Sequence, residues 1–208
     1  MPDATPKPSP EGGNQLFPIF LKLNELHTLI VGGGYVGMEK VTAVLANSPS
    51  ATVTLVAPEI REEIRELAAQ FPNLALLHRE YQPEDLAEKD LVLVATNNKA
   101  LNIQIKQQAR ARKLLANVAD TPDHCDFSLS SVVPKGHLKI AISTNGKSPT
   151  VAKRVKEVLL EAFPDEIEQV LDQIQEIRNS LKGDFAEKVK QLDQITAVLV
   201  KKNANEEM

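Results

Sequence analysis

The chain has 208 residues, 42% hydrophobic and 25% charged, which suits a soluble globular protein with one sizeable core and a smaller appendage. A net charge of -4 offers no basic face to a phosphate backbone and argues against nucleic acid as a partner, while leaving room for a local basic patch. One cysteine, Cys125, excludes an internal disulfide; with no signal-like opening run and no apolar stretch of membrane-spanning length, a cytoplasmic protein off the membrane is expected.

Residues 1–15, rich in Pro, Gly and polar side chains, predict a disordered tail. Thr28-Leu29-Ile30-Val31 is a short β-branched apolar run that stops at glycine, and it reads as a buried strand. Val36, Val41, Val44 and Leu45 then fall near helical spacing from Tyr35 to Ala46, and Ala51 to Ala57 is a second strand. Pro58 suits the first turn of a helix, where its missing N–H costs nothing, with Ile60, Ile64, Leu67 and Ala68 on one face. Strands follow at Leu74 to Leu77 and Leu91 to Ala95, then a helix with Leu101, Ile105 and Ala109, then a strand from Leu114 to Ala119. Alternation at this short spacing predicts a parallel sheet covered by helices, a Rossmann-like α/β fold.

The pattern breaks after Asp120. Phe127 to Val133 and His137 to Ser143 are strand-like around Pro134-Lys135-Gly136, which signals a hairpin. Ser148-Pro149 starts a helix, and two more carry Ile167, Val170, Leu171, Ile174, Ile177 and Leu181, then Phe185, Val189, Leu192, Ile195 and Leu199. Lys182-Gly183 ends the first of these two, and Asn203 to Met208 frays.

The chemistry concentrates at Gly32-Gly33-Gly34-Tyr35-Val36-Gly37, between the first strand and its helix. Gly32 allows the tight turn, Gly34 lets backbone approach a pyrophosphate, and Gly37 permits close helix–strand packing. The helix N-terminus adds free N–H groups and partial positive charge, so a dinucleotide is the expected ligand. The second strand should deliver an acidic group to the adenosine ribose; Pro58-Glu59 stands there, and Glu59 reads either as that group or as a solvated carboxylate in the first turn of a helix. With Arg61 the one nearby cation, NAD is favoured over NADP. Thr96 and Asn97 end the fourth strand on the carboxyl edge and read as cofactor contacts or as a helix-capping loop.

Phe17-Pro18-Ile19-Phe20-Leu21, Val31-Gly32-Gly33-Gly34 with Val36 and Lys40, Val56-Ala57-Pro58-Glu59 and Ala95-Thr96-Asn97 match one family. So do Asn117-Val118-Ala119-Asp120, Cys125-Asp126-Phe127 and Ala141-Ile142-Ser143-Thr144-Asn145-Gly146-Lys147-Ser148-Pro149. Together they resemble the precorrin-2 dehydrogenase family of sirohaem synthesis, including the N-terminal half of sirohaem synthases. The chain departs from the family at Gly37, where alanine is common, at Glu39, where arginine often stands, at Asn97-Asn98, which replaces a more acidic pair, and at Asn145, where glycine is frequent.

The resemblance implies NAD-dependent oxidation of precorrin-2 to sirohydrochlorin by a homodimer; some members also insert ferrous iron, which would make iron a second substrate. A module that senses NAD without turnover is the alternative from another class. Pattern and resemblance together give a tail at 1–15, a dinucleotide-binding domain at 16–120, a dimerisation hairpin at 121–147 and a helical domain at 148–208.

Asp120 lies just beyond the fifth strand on the cofactor edge and matches the family's key aspartate. It is the candidate catalytic proton acceptor, set against a plain turn residue in Asp-Thr-Pro-Asp. His124 is a candidate substrate contact. His124-Cys125-Asp126 in a row has no zinc spacing, neighbours in extended chain face opposite ways, and Cys125 is expected to pack as a small apolar group, so no metal site is expected. A substrate with many carboxylates wants cations and hydroxyls. Thr144, Lys147 and Ser148 are candidates, and Lys135, His137, Lys139, Lys153 and Arg154 form either a binding surface or a solvated basic face.

Overall fold

The structure is a computed structural model that describes residues 13–164, 166–181 and 184–196. By internal contacts the chain divides into two compact units, Met1–Val132 with Ala141–Arg154, and Val133–Ile140 with Val155–Met208.

The first unit is built on five parallel strands, β1 (His27–Gly33), β2 (Thr52–Ile60), β3 (Leu74–His78), β4 (Leu91–Val94) and β5 (Leu115–Val118), in the order β3-β2-β1-β4-β5. Helices α1 (Tyr35–Asn47), α2 (Glu62–Gln70) and α3 (Lys99–Ala111) connect them. This order, running outward both ways from β1, is the Rossmann order 3-2-1-4-5-6 without a sixth strand among the described residues. The central strands β1 and β4 are buried on both faces, as parallel strands under helices must be, and β4, Leu-Val-Leu-Val, is buried throughout.

Alternation along the strands sorts the core into two layers. Ile30, Val53, Leu55 and Leu93 pack with Val41, Val44 and Leu45 of α1 and Ile64 of α2. Leu29, Val31, Val56, Val92, Val94, Ala116 and Val118 pack with Ile105 and Ala109 of α3 and with Leu86. Fully burying one such aliphatic side chain stabilises by about 1.5–3 kcal/mol, so these layers dominate the unit's cohesion.

Two expectations for this region are corrected. Pro58 is not at a helix start: β2 continues to Ile60, and α2 begins only at Glu62. The reason lies in pairing. Val31 pairs with Val56, but the next pair is Gly33 with Ile60, so β2 bulges over Ala57 to Glu59. Pro58 lies in that bulge and beyond the last β2–β3 pair, Ala57 with His78, where no ladder needs its absent N–H. Ile60 is therefore a buried strand residue, and Glu59 is an exposed residue inside a strand.

After β5 the chain makes a short 3-10 turn, Pro122–His124, so of the three residues read as extended chain His124 lies in a turn, while Cys125 has an extended backbone. Phe127 to Ser130 is irregular rather than strand, because side chains of β5 and its neighbours hold it. Asn117 Nδ2 donates to the Phe127 carbonyl at 2.8 Å, and Asp126 Oδ2 accepts the Ala116 N–H at 2.9 Å. The two-stranded sheet is β6 (Ser131–Lys135) with β7 (Leu138–Ile142). Its turn is two residues, Gly136 and His137, not Pro134 to Gly136; Gly136 at φ 60° suits the first position of a type II′ turn.

Helices α4 (Pro149–Ala162), α5 (Ile167–Ser180) and α6 (Phe185–Thr196) follow. The expected stop at Lys182-Gly183, the end of the last helix at Leu199, the frayed end and most of the tail lie outside the described residues. Among the described residues no helix is long and apolar enough to cross a membrane.

Candidate functional site

The glycine loop joins β1 to α1 at the carboxyl edge of the sheet, and three of its glycines are dictated by packing. Gly32 has φ 118°, and a Cβ there would stand 2.3 Å from the Ala95 carbonyl oxygen at the end of β4. At Gly33 a Cβ would stand 2.3 Å from the Glu59 carbonyl oxygen, and at Gly37 it would meet Gly32 oxygen at 2.1 Å. The loop is thus wedged between the ends of β2 and β4. Gly33, to which the sequence pattern assigns no task, is what lets β2 close over it.

Gly34 differs. A Cβ there would meet nothing within 4 Å, and its backbone is extended, open to any residue. Protein packing does not require glycine at this position, whereas close approach of a ligand to the backbone does. Gly34 is also the N-cap of α1; no side chain caps that helix and no acidic residue stands in its first turn. Its first N–H groups and partial positive charge are left for an anion. The residues present therefore fit the diphosphate of a dinucleotide.

Around this loop, Tyr35 is 74% exposed and Val36 half-buried. Pro58 and Glu59 lie in the exposed β2 bulge beside Gly33. Arg61, one residue past β2, donates its backbone N–H to Gly33 oxygen at 3.0 Å, and its guanidinium lies 3.8 Å from the Tyr35 ring centroid. At the end of β4, Thr96 is engaged with the start of α3. Its hydroxyl donates to Asn102 Oδ1 at 2.5 Å and accepts the Asn98 N–H at 3.1 Å, while Asn98 Oδ1 caps α3 through the Leu101 N–H. The capping loop thus rests on Thr96 and Asn98, and Asn97 is exposed between them.

Asp120 follows β5 with φ 56°, a left-handed backbone that aspartate tolerates better than most residues, and its side chain is exposed. The turn after it is anchored from below. Cys125 Sγ accepts the Val118 N–H and donates to the Val118 carbonyl, both at 3.2 Å, and packs against the α3 side of the core. His124 is half-buried and gives its backbone N–H to the Thr121 oxygen at 3.0 Å. Asp126 pairs with Lys106 of α3 at 2.5 Å. These bonds make Cys125 and Asp126 fasteners of the loop that carries Asp120.

The segment before α4 is bound up in itself. Thr144 Oγ1 accepts the Ser148 N–H at 3.2 Å, Ser148 Oγ accepts the Val151 N–H at 3.2 Å as a helix cap, and Asn14 Nδ2 donates to Ser143 Oγ. Asn145 and Gly146 both have left-handed backbones, and Lys147 is exposed.

The basic residues singled out in the sequence divide: Lys147, Lys153 and Arg154 belong to the first unit, Lys135, His137 and Lys139 to the second. Within the second unit His137 is committed to Glu168 of α5 through both its ring Nδ1 and its backbone N–H. Glu168 also fills the slot a Cβ at Gly136 would need. Its hydrogen bond and charge raise the His137 pKa above the ordinary value. With Asp172 these two residues are the group of potential metal ligands found among the described residues, 31 positions apart and unforeseen from spacing.

Strand order, glycine loop and open phosphate position define a dinucleotide-binding α/β domain. An NAD(P)-binding family model (NAD_binding_7) matches residues 19–131, more than half of the chain, and the central domain of sirohaem biosynthesis proteins matches residues 135–161. The chain belongs to this NAD(P)-binding family. It is 36% identical to a sirohaem synthase of Pseudoalteromonas atlantica over 85% of the chain and 35% of that protein, and 35% identical to sirohaem synthase 2 of Yersinia enterocolitica over 82% of the chain and 35% of that protein. The chain thus spans about a third of the length of these curated relatives. Among solved structures it is similar to SirC, a precorrin-2 dehydrogenase, with a TM-score of 0.68 and 28% identity, covering 86% of this chain and 89% of that one.

Proposed function

We propose that the chain is an NAD-dependent dehydrogenase that oxidises precorrin-2 to sirohydrochlorin, acting as a cytoplasmic homodimer. The observation that carries the reading is the likeness to SirC, a precorrin-2 dehydrogenase, along nearly the whole of both chains.

In this reading the loop Gly32, Gly33, Gly34, Tyr35, Val36 and Gly37 holds the diphosphate on the first N–H groups of α1. Pro58 and Glu59 line the adenosine side, and Thr96 and Asn97 line the nicotinamide side. NAD, when bound, supplies the hydride acceptor. Oxidation of the macrocycle releases one hydride to it and one proton, and the Asp120 carboxylate takes the proton. The left-handed backbone at Asp120 supports that role, since such conformations gather at functional sites. Thr144, Lys147, Ser148 and His124 meet the substrate's carboxylates. Residues 121–147 serve the dimer, a reading to which the open Leu129, 40% exposed, lends an apolar contact.

The test is anaerobic mixing of protein, NAD and precorrin-2 while following NADH. NADH should form, and Asp120→Asn, which keeps the shape and tolerates the same backbone, should slow it about 100-fold while NAD still binds. Undiminished turnover in that variant would remove Asp120 from the chemistry. No NADH at high enzyme concentration, from protein that binds NAD, would overturn the dehydrogenase and leave a nucleotide sensor.

A further inference from the structure

At the end of β2 the charge of Arg61 is already engaged. Its guanidinium stacks on Tyr35, 3.8 Å from the ring centroid, and its Nη2 lies 2.5 Å from Glu63 Oε1 in the first turn of α2. The same residue is rooted to the glycine loop by its N–H bond to Gly33 oxygen. Its Nε is buried with no hydrogen-bond partner, so the head group is held by the stack and by one carboxylate. The next cation, Arg65, lies 3.8 Å from Glu62. From Glu59 to Arg65 the chain thus carries three carboxylates against two guanidinium groups, each guanidinium beside a carboxylate.

This corner is where a second strand meets the adenosine ribose of a dinucleotide. A plain 2′-hydroxyl needs no cation there. A 2′-phosphate brings a further charge of roughly -1.5 to -2 and needs an arginine whose donors are available. We propose that the Arg61–Glu63 pair, stacked on Tyr35, selects NAD over NADP: Glu63 holds the arginine that a 2′-phosphate would otherwise recruit. The inference rests on the dinucleotide reading above and names the residues that set its selectivity. Tyr35 contributes by fixing the plane of the guanidinium, so that the head group cannot swing to the phosphate without losing the stack.

The test is calorimetric titration of the intact protein with NAD and with NADP, which needs no tetrapyrrole. The unaltered protein should bind NAD more tightly. Glu63→Gln should narrow the ratio of the two dissociation constants about three- to fivefold, through tighter NADP, as expected for releasing a partly exposed ion pair. Adding Arg61→Gln to Glu63→Gln should restore the original ratio. A ratio unmoved by Glu63→Gln while NAD binds well overturns this inference alone, and so does a gain that persists without Arg61. Binding of neither nucleotide to the unaltered protein overturns the dinucleotide reading and this inference with it.

Discussion

The two units are held together in different ways. The first closes two apolar layers around a five-stranded sheet, and its glycine loop fits between β2 and β4 with no room for a methyl group at three positions. In the second, Val133 is the one fully buried apolar residue among those described, and α5 buries none of its side chains completely. The helical period of Ile167, Val170, Leu171, Ile174 and Ile177 is as regular as that of α3, yet these side chains stay half-covered or open. Periodicity specifies that a helix has an apolar face; it does not say what will cover it. The difference teaches that substitutions in the sheet and glycine loop of the first unit should act through packing and backbone, and those in the second unit through local pairs.

The sharpest break is Gly32→Ala. Both the φ of 118° and the Ala95 oxygen oppose a side chain, so a loss of about 3 kcal/mol or more is expected, enough to unfold much of the protein near body temperature. Denaturant titration followed by circular dichroism reads it, and an unchanged midpoint would refute the wedged loop. Gly34→Ala is its complement within the same six residues. Nothing in the fold opposes that methyl group, so the melting midpoint should hold while NAD binding weakens about tenfold, equal to about 1.4 kcal/mol. If Gly34→Ala binds NAD like the unaltered protein, the diphosphate does not approach the loop there.

These glycines also measure what was legible in advance. The run to Val31, the glycine spacing and the following helix are local features, and β1, β4, the loop and α1 were readable from them. The bulge at Pro58 was not, because it exists only through the pairing of Gly33 with Ile60, 27 residues on. For the same reason Pro58 read as a helix start, Gly33 read as part of the cofactor loop without a packing task, and Arg61 stood as a cation without its stack on Tyr35. Phe127 read as strand because its composition suits one, while side-chain bonds from Asn117 hold it out of the ladder. Asp120 and the Thr144–Ser148 segment could be singled out by resemblance, but the left-handed backbone of one and the internal bonding of the other are products of the folded loop.

An intermediate effect is expected at Asp126. Partial burial pushes its carboxyl up, but the Lys106 ammonium and the Ala116 N–H outweigh this and hold its pKa below the ordinary value. Asp126→Asn keeps an acceptor for Ala116 and removes the charge beside Lys106, whose side chain is 13% exposed. A loss of about 1 kcal/mol follows, muted because the carboxylate itself is partly solvated. Its stabilisation is present above the unfolded carboxyl pKa of about 3.9 and is lost as pH falls through the lower folded value. The variant should therefore melt lower than the unaltered protein at neutral pH, with the gap closing in acid. A gap independent of pH would point to packing instead of charge.

The smallest effect belongs to the second unit, at His137 and Glu168. The hydrogen bond to Glu168, followed by its charge, raises the His137 pKa above 6.5. The carboxylate, receiving first the backbone N–H and then the ring, is held below its own ordinary value. For the histidine, a raised folded pKa means stabilisation that is complete below its unfolded value and lost as pH rises through the folded one. For the glutamate, a lowered folded pKa means stabilisation lost as pH falls through it. The pair therefore fastens the β6–β7 turn to α5 between the depressed carboxyl and the raised imidazole, and loosens on either side. With His137 solvent-exposed, the readout is the titration of that residue more than a change in melting. NMR of the His137 ring should give a midpoint above 6.5 that falls in Glu168→Gln. A midpoint at or below 6.5 in the unaltered protein would break the pair, and with it the claim that local contacts organise this unit where core packing does not.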